Sequence, residues 1–516
     1  MKIARSTSLT CARLGSLLGS ITVLMLLGAC AVAPIASNQT LTGKEGAVIL
    51  KLVTNGTDES DPAEALSALL LERVLPPGEK PTGRDTATLV RTRQATYSTA
   101  VFSGMVDPGR YVVKHATGMR GNMTYTFPID AKFGSFEVLK GEVTLLGTLL
   151  VQPRIGYRFV VAYVAPEKEL QETFESLYPA LAAQTKAQAQ HGFDQTPELA
   201  RRAELAAESK RRAALWNSIS QPTDGQFLAG TKLGKVLWRK DTRARWRELD
   251  TGSWREVMSA APFRGGIVAA GEEGLLRLST DEGRNWKPLT PPDRALLQLV
   301  QPFSDGSLVI FARKDRTWSV YRSQDVDSGT WTKLGEFADS ASINIPWVRP
   351  MAVAWKDNAG VMLANGDFYV TDGSSVLRAG TGQSTHSVAV MPDGSLIAQT
   401  VAISRSTLRS TDFGKTWVDL RTSRFVIAAT FKDKLTGYTV GPVAPGVFAG
   451  VMGLMTTRDG GDSWLQTGRP PGLTGPNAIR QLAIDRSDTS LLAFLPDNMI
   501  VRSVDEGKTW TTVKDD

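Results

Sequence analysis

Few side chains in this chain have the type and spacing that catalysis or metal binding requires. Its three histidines, His115, His191 and His386, are far apart, and its two cysteines, Cys11 and Cys30, do not form a metal-binding pair. No phosphate-binding loop of the P-loop kind and no Gly-x-Ser-x-Gly nucleophile motif occurs. The sequence therefore predicts no metal site and no cofactor.

The carboxylates that recur are aspartates in an eight-residue pattern, [Ser/Thr]-x-Asp-x-Gly-x-x-Trp. Carboxylates in pairs could perform glycoside hydrolysis. In this pattern, however, the Asp and the hydroxyl group can accept backbone N–H bonds, Gly supplies a positive φ, and Trp adds apolar area to a small sheet. We therefore interpret the pattern as a structural turn, with complete copies at Ser279, Asp281, Gly283 and Trp286, at Ser410, Asp412, Gly414 and Trp417, at Thr457, Asp459, Gly461 and Trp464, and at Ser503, Asp505, Gly507 and Trp510.

Degenerate copies extend the repeat to seven. Asp325 and Trp331 belong to a stretched copy, Asp241 and Trp246 to a copy without the Ser and the Gly, and residues 379–386 keep only the position. The copies recur about every 43 residues, which is the length of a four-stranded propeller blade. Short apolar runs between turns precede the copies, as expected for strands. The repeat thus predicts a seven-bladed β-propeller.

The complete copies, matched residue by residue within residues 216–516, resemble the Asp-box (BNR) repeats of sialidase-like and related propellers. In that family the boxes lie at the periphery, so the resemblance implies a structural role for the box residues. Sialidase activity would need an arginine cluster, a Tyr nucleophile paired with a Glu, and an acid/base Asp. The family's Phe/Tyr-Arg-Ile-Pro signature is missing, and Phe263-Arg264-Gly-Gly is the nearest string.

Two functions remain open for the propeller. One is glycoside hydrolysis, sialidase-like or with two carboxylates, although no pair of glutamates stands out in the sequence. The other is binding, because the propeller also resembles photosystem assembly factors and other Asp-box scaffolds, which bind protein without a reaction. Converging arginines with a Tyr–Glu pair on the channel face would favour the hydrolase. Four tryptophans outside the boxes are candidates either for blade packing or for contact with a glycan or protein: Trp254, Trp318, Trp347 and Trp355.

The N-terminus has the pattern of an export signal, with a basic start, a short apolar stretch and the ending Leu27-Gly-Ala-Cys30. That ending resembles a bacterial lipobox, in which the cysteine is acylated. Ala31, rather than Asp, follows it, which resembles the sorting pattern for the outer membrane. We therefore expect residues 1–29 to be a signal peptide, Cys30 the lipid attachment site and residues 30–43 a flexible tether, on an outer-membrane lipoprotein that faces the periplasm. Exposure at the cell surface is the alternative.

Two segments separate the tether from the propeller. Residues 44–165 contain strand-like runs between turns, enough for one small antiparallel β-sandwich. Part of this segment, from Pro108-Gly-Arg-Tyr-Val onward, is similar to small lipoprotein β-sandwich domains. Residues 166–215 predict a helical connector, in which Thr196 caps a helix that has Pro197 at its first position.

The formal net charge of +7 is scattered along the chain, and nucleic acid is not an expected partner of an exported lipoprotein. The predicted fold is mainly β, with a small β-sandwich, a short helical connector and a seven-bladed propeller. The predicted function is a membrane-tethered, non-catalytic binding or assembly scaffold for a protein or glycan. The alternative is an exo-acting glycoside hydrolase.

Overall fold

The computed structural model describes residues 33–513 apart from 57–65, 80–81, 83–84, 93–95, 121–122, 130–132, 155–157, 186–191, 213–215, 221–224, 340–348, 392, 401–406, 421–426, 443–451, 472–480 and 496–498. The predicted signal peptide, Cys30 and Trp347 therefore lie outside the described residues. An N-terminal sheet is followed by three helices and by seven four-stranded sheets. The mainly β class and the seven blades are confirmed.

Nine strands form the N-terminal sheet: β1 (Gly46–Thr54), β2 (Leu66–Arg73), β3 (Thr86–Thr92), β4 (Thr99–Val106), β5 (Gly109–Arg120), β6 (Met123–Pro128), β7 (Phe136–Val138), β8 (Val143–Arg154) and β9 (Arg158–Val164). Their order is β6-β5-β2-β3-β4-β1-β8-β9, with β7 beside β5. Strands β1 and β8 pair in parallel, and the other pairs are antiparallel.

This single curled sheet differs from the two stacked sheets of the expected β-sandwich. The sheet curls around one apolar cluster that includes Leu50, Phe102, Tyr111, Leu149 and Tyr163, and these residues come from opposite parts of the strand order. The pairings of β1 with β8 and of β2 with β5 contain register shifts. Such irregularities increase the twist of a sheet, so one sheet can enclose a core that would otherwise need two layers.

Three helices follow the sheet: α1 (Lys168–Leu177), α2 (Pro179–Thr185) and α3 (Pro197–Arg211). Thr196 caps α3, since its side chain accepts the Leu199 N–H at 3.0 Å. Helices α1 and α2 cover the outer face of β1 around Ile49, while α3 packs on β9 through Ala206. Strand β1 is buried along its whole length because it lies between the curled core and this outer layer.

The segment before β1 is packed against the sheet and α2. Ile35 and Leu41 are buried. The Ile35 N–H donates to Ser103 Oγ at 3.2 Å, and the side chain of Gln184 bonds the N–H and the carbonyl of Leu41 at 2.8 and 3.0 Å. From Ile35 onward, the expected flexible tether therefore lies against the folded domain.

Each blade consists of four antiparallel strands in chain order, and first strands of successive blades contact one another around the channel. Blades 1 to 4 contain β10 (Trp216–Ser220), β11 (Phe227–Thr231), β12 (Lys235–Arg239), β13 (Arg247–Asp250); β14 (Val257–Phe263), β15 (Gly266–Gly271), β16 (Leu276–Ser279), β17 (Lys287–Pro288); β18 (Leu296–Pro302), β19 (Leu308–Lys314), β20 (Thr317–Ser323), β21 (Thr332–Ala338); and β22 (Met351–Trp355), β23 (Asn358–Met362), β24 (Asp367–Thr371), β25 (Val376–Gly380). Blades 5 to 7 contain β26 (Thr385–Val390), β27 (Leu396–Thr400), β28 (Thr407–Ser410), β29 (Val418–Asp419); β30 (Ile427–Phe431), β31 (Gly437–Pro442), β32 (Met452–Thr457), β33 (Leu465–Gly468); and β34 (Gln481–Ile484), β35 (Leu491–Phe494), β36 (Ile500–Ser503), β37 (Thr511–Thr512).

The ring closes between blades 7 and 1. The side chain of Gln481 accepts the Ile219 N–H at 2.7 Å and donates to the Ile219 carbonyl at 2.8 Å. Arg239 forms a buried ion pair with Asp485. These bonds join the last blade to the first and close the ring. The fourth strand of each blade is its outer edge.

The strand order gives the propeller two faces. We call "box face" the face with the turns between the first and second and between the third and fourth strands of each blade, because the Asp boxes lie there. We call "opposite face" the one with the turns between the second and third strands and the connections between blades. The opposite face includes two short 3₁₀ turns, Lys232–Gly234 and Glu272–Gly274.

The prediction of a degenerate box at residues 379–386 is wrong. Those residues end β25 and begin β26, and the turn between β24 and β25 is residues 372–375. There the Asp372 carboxylate accepts the Ser374 N–H at 3.0 Å. With this correction the fourth strands begin at positions 247, 287, 332, 376, 418, 465 and 511, at more even intervals than the sequence pattern suggested.

The box at residues 410–417 shows how the pattern closes its turn. Ser410 Oγ accepts the Gly414 N–H at 2.6 Å and donates to Asp412 Oδ1 at 2.8 Å. That carboxylate also accepts the Thr416 N–H at 2.8 Å, and Trp417 Nε1 donates to the Gly414 carbonyl at 3.0 Å. The boxes at 279–286 and 503–510 repeat these bonds.

We expect Gly414→Ala to destabilise the propeller strongly. Gly414 has φ +85°, and an added Cβ would collide with Phe368 of the preceding blade. The positive φ costs about 1–2 kcal/mol for an L-residue, and overpacking adds about 1–3 kcal/mol. Gly382→Ala is the matched control, since Gly382 has φ +70° with open space around it. Thermal melting should show a clearly larger loss for Gly414→Ala, and equal losses would contradict the packing of this box against blade 4.

Candidate functional site

Ionisable side chains converge on the opposite face of blades 1 to 3, where the N-terminal sheet contacts the propeller. Residues 96–99, which lead into β4, lie against the turn Glu272–Gly274. The Glu272 carboxylate accepts the backbone N–H groups of Tyr97 and Ser98, the latter at 2.7 Å, and the hydroxyl of Thr99 at 2.5 Å. One propeller side chain thus binds three consecutive residues of the N-terminal sheet.

A second glutamate lies beside the first. Glu256 Oε2 accepts a hydrogen bond from Ser98 Oγ, and its Oε1 is 3.7 Å from Arg349 Nη1. Glu256 and Glu272 are both 0 % exposed. Burial, and secondly repulsion from Glu256, raises the pKa of Glu272 to about 7. The fold therefore creates a carboxylate pair that the sequence did not reveal.

Glu273, the next residue, binds a different part of the N-terminal half. Its Oε2 is 2.6 Å from Nζ of Lys51, a residue of β1 that is buried, and 2.9 Å from Thr173 Oγ1 in α1. Arg255 Nε approaches the same oxygen at 3.0 Å. Although burial acts to raise it, attraction by Lys51 and Arg255 lowers the pKa of Glu273 to about 2.

The helices complete this contact. Glu169 Oε2 accepts the Trp254 N–H at 3.0 Å, and Glu172 forms an ion pair with Arg255 at 3.2 Å. Lys210 of α3 lies over the Trp254 ring at 4.4 Å from its centre. The predicted connector therefore contacts both the sheet and the propeller. We call "clasp" the group formed by Glu256, Glu272 and Glu273 of the propeller with Lys51 and residues 97–99.

Tyr97 lies at the centre of the clasp. Its ring packs against Met258 and Leu296 of the innermost strands, with the Arg349 guanidinium 4.1 Å from the ring centre. Arg313 Nη1 is 3.5 Å from the hydroxyl. Two arginines, a tyrosine and two glutamates therefore meet here.

This cluster does not have the geometry of a tyrosine nucleophile with a glutamate base. Glu272 accepts the backbone N–H of Tyr97, whereas the Tyr97 hydroxyl contacts Arg313. Burial raises the pKa of Tyr97, although both arginines oppose the effect. A buried tyrosine with a raised pKa is a poor nucleophile, so the chemistry of the cluster is that of a contact between two parts of the chain.

The channel wall is uncharged where the structure describes it. The seven first strands, β10, β14, β18, β22, β26, β30 and β34, contain no Asp, Glu, Lys or Arg. Gln298 and Ser259 are among their polar side chains, and each contacts backbone of a neighbouring strand or its flank. The wall itself therefore supplies neither the carboxylates nor the arginines that glycoside hydrolysis requires.

The predicted box residues lie on the box face, away from the clasp. The Asp281 carboxylate is bound within its own turn, and hydrogen bonds from Asn285 lower its pKa to about 2. Asp325, in the stretched box, accepts the Asp327 N–H at 3.2 Å, while Trp331 donates to the Thr290 carbonyl at 3.0 Å. Within the described ranges no group of three His, Cys, Asp or Glu could hold a metal ion.

The structure describes three of the four candidate tryptophans, and two of these three are engaged within the protein. Trp318 is fully buried, Trp254 belongs to the surroundings of the clasp, and Trp347 lies outside the described residues. Trp355, at the end of β22, is half-buried and reaches the box face beside the channel. Of the three candidates that the structure describes, Trp355 is the one on the box face.

A further set of paired residues was missed in the sequence. In blades 3, 5 and 7 an Asp-x-Ser turn after the first strand pairs with an Arg of the third strand, namely Asp305 with Arg322, Asp393 with Arg409 and Asp488 with Arg502. Each Arg directly precedes the hydroxyl residue of its box. This recurrence could have predicted the ion pairs from the sequence. It indicates that these Asp and Arg residues stabilise the blades.

We expect stability to fall between pH 4.5 and 7 because of Glu272. Its folded pKa of about 7 exceeds the ordinary value of 4.5, so its contribution is complete below pH 4.5 and is lost as pH rises through 7. Glu272→Gln keeps the acceptor oxygen and should remove most of this fall, whereas the exposed control Glu79→Gln should follow the wild type. Melting temperatures measured between pH 4.5 and 7 test this prediction. If the melting temperature of the wild type did not fall with pH relative to that of Glu272→Gln, the prediction would be wrong.

No family model and no curated protein sequence matches this chain. Among solved structures, it is similar to YCF48 bound to D1 peptide, with 15 % identity and a TM-score of 0.43 over 56 % of this chain and 92 % of that one. It is similar to YCF48 from Cyanidioschyzon merolae, with 12 % identity and a TM-score of 0.42 over 56 % and 95 %. It is also similar to the GH74 xyloglucanase from Xanthomonas campestris, with 16 % identity and a TM-score of 0.40 over 57 % and 52 %. Likeness at this level does not identify a ligand or an activity for this chain.

Proposed function

We propose that this protein is a lipid-anchored, non-catalytic scaffold of the cell envelope, whose propeller binds a protein or glycan. The observation that carries the proposal is the clasp. On the opposite face of blades 1 to 3 the charged groups bind the N-terminal sheet and α1, so they hold two parts of one molecule together. A rigid body of this kind is suited to positioning a partner.

The uncharged channel wall supports the same function. Acid–base and nucleophilic catalysis on a glycan needs carboxylates or a tyrosine within reach of the substrate. The seven first strands carry none of the charged residue types. An uncharged wall is compatible with a propeller that acts as a platform.

The Glu256–Glu272 pair is the observation that favours the alternative, a glycoside hydrolase with two carboxylates. Both glutamates are buried and hydrogen-bonded to residues 97–99, however, and a sugar could reach them only if the N-terminal sheet moved away. That movement would break the hydrogen bonds that Glu272 and Glu256 form with Ser98. The hydrolase therefore remains the second candidate.

The packed segment after Cys30 sets the geometry of the proposed anchor. Because Ile35 is already buried in the domain, only the four residues 31–34 separate Cys30 from the folded surface. The five residue-to-residue steps from Cys30 to Ile35 span at most about 18 Å. The N-terminal sheet would then lie close to the bilayer, with the propeller held in a fixed orientation by the clasp. Among the described helices, none is both long and apolar enough to cross a membrane.

We expect the chain from residue 31 onward to release no product from sialosides, xyloglucan or β-glucan oligomers, because its carboxylate pair is covered. The assay is reducing-end and fluorogenic product release with enzyme in excess. Glu256→Gln serves as the diagnostic variant, since it removes one carboxylate of the buried pair and keeps the size of the side chain. Turnover by the wild type that Glu256→Gln abolishes, with thermal melting unchanged, would contradict the scaffold function.

We expect Cys30→Ser to move the protein from the membrane to the soluble fraction and to abolish incorporation of labelled fatty acid. Cys11→Ser is the matched control, because Cys11 lies within the predicted signal peptide and is not the predicted site of acylation. The control should remain membrane-bound. Membrane retention of Cys30→Ser without a fatty acid would refute the lipid anchor.

A further inference from the structure

A cavity of about 300 Å³ lies between helix α3 and the strands β8 and β9 of the N-terminal sheet. This volume is at the lower end of the range of small-molecule sites, about 300–1,000 Å³. Two of its lining side chains, Gln152 and Val160, are a cross-strand pair of β8 and β9. The others belong to α3 and to Arg212, the residue that follows the helix.

A short side chain of α3 leaves this space open. The helix packs on the sheet at Ala206, which lies in one apolar cluster with Leu150 and Ala162. Three residues further along α3, the buried residue is Ser209. Along β8, the next residue on the same face as Leu150 is Gln152. Because Ser209 is too short to fill the space beside Gln152, a cavity remains between helix and sheet.

Gln152 points to a ligand in this cavity. Its side chain is polar and only 7 % exposed, yet it forms no hydrogen bond within the described part of the chain. The hydroxyl of Ser209, a residue that is 5 % exposed, likewise has no partner among the described residues. Buried polar side chains are normally hydrogen-bonded. A molecule in the cavity would supply the partners that the protein does not.

The cavity is positively charged. The lining arginines are Arg201, Arg202 and Arg212. One carboxylate, that of Glu208, is among the lining groups. Arg202 is held in place, because its Nη1 donates to the Val161 carbonyl at 2.6 Å and its guanidinium lies 5.2 Å from the centre of the Phe133 ring. A fixed guanidinium is well suited to binding an anion in a defined geometry.

The ion pairs of the other two arginines leave donors for a ligand. Arg201 pairs with Glu198 at 3.2 Å, and Arg212 pairs with Glu208, while the two arginine side chains are 66 and 52 % exposed. Exposed ion pairs contribute little to stability. Each guanidinium also has several N–H donors, so it can bind a carboxylate of the protein and a ligand together. An anion can therefore be added here without the loss of a bond on which the fold depends.

We infer that the cavity between α3 and strands β8 and β9 binds a small organic anion. The charged group of the ligand lies among the three arginines. Its apolar part packs on Val160 and Leu205, and its remaining polar atoms bond Gln152 and Ser209. This site lies on the N-terminal half of the chain, so the inference does not depend on what the propeller binds.

The test titrates benzoate and phenyl phosphate, with benzamide as the neutral counterpart, into the chain from residue 31 onward with isotope-labelled Leu and Val methyl groups. We expect the NMR signals of the Val160 and Leu205 methyl groups to shift with an anion that binds at least tenfold more tightly than benzamide. The tighter of the two anions identifies the charged group of the ligand as a carboxylate or a phosphate. Gln152→Met, which keeps the size of the side chain, should weaken binding several-fold and melt like the wild type, because the Gln152 amide has no protein partner.

Arg201→Gln combined with Arg212→Gln should weaken anion binding at least tenfold. The matched control is Arg110→Gln combined with Arg458→Gln, which removes two arginines that are also ion-paired and are 55 and 59 % exposed. The control should leave the Kd unchanged.

Three outcomes would overturn the inference. They are no shift of the two methyl signals with millimolar benzoate or phenyl phosphate, equal binding of benzamide, and equal losses in the variants and the control when all of them melt like the wild type. A lower melting temperature of Gln152→Met would also contradict it, since the amide would then have a protein partner. These measurements concern α3 alone, so their failure is distinguishable from failure of the scaffold function.

Discussion

The carboxylate of Glu272 is the interaction on which the arrangement of this molecule depends. It is fully buried, so it must be satisfied by protein groups, and it finds them in the backbone of Tyr97 and Ser98 and in Thr99. Both N–H groups donate to the same oxygen of Glu272, which ties residues 97 and 98 to this point of the propeller. The bond therefore fixes where that sheet lies on the propeller, and Glu273 with Lys51 reinforces the same placement.

This placement makes the two propeller faces unequal. On the opposite face of blades 1 to 3, the charged groups bind the N-terminal sheet. Their cluster contains the residue types of a catalytic site, arginines, a tyrosine and glutamates, but not its geometry. The box face carries the Asp boxes, whose carboxylates are bound within their own turns. The strongly exposed large apolar side chains in the described part of the propeller also lie on this face, in blades 4 to 7. The resemblance of the repeat to Asp boxes thus predicts the fold of the propeller. The residues outside the boxes determine which groups each face presents.

Local patterns predicted local structure well. The box pattern contains its own hydrogen-bond partners within eight residues, and the Thr196 cap lies three residues from the N–H that it accepts. The degenerate box of blade 4 was misplaced because a four-residue turn at Asp372 replaces the pattern. The clasp joins residues that are far apart in the sequence, such as Ser98 and Glu272, and no periodicity marks such a pair. The packed segment at Ile35 escaped prediction for the same reason, because its partner Ser103 lies on β4.

Hydrogen–deuterium exchange at residues 97 and 98 tests the central claim, that a buried glutamate of the propeller holds the N-terminal sheet in place. Both amides precede β4 and would be exposed in a free turn. The account predicts that they exchange as slowly as the amides of β14 in the propeller core, because Glu272 accepts both N–H groups in a buried contact. Exchange of these two amides within seconds, while β14 remains protected, would contradict it.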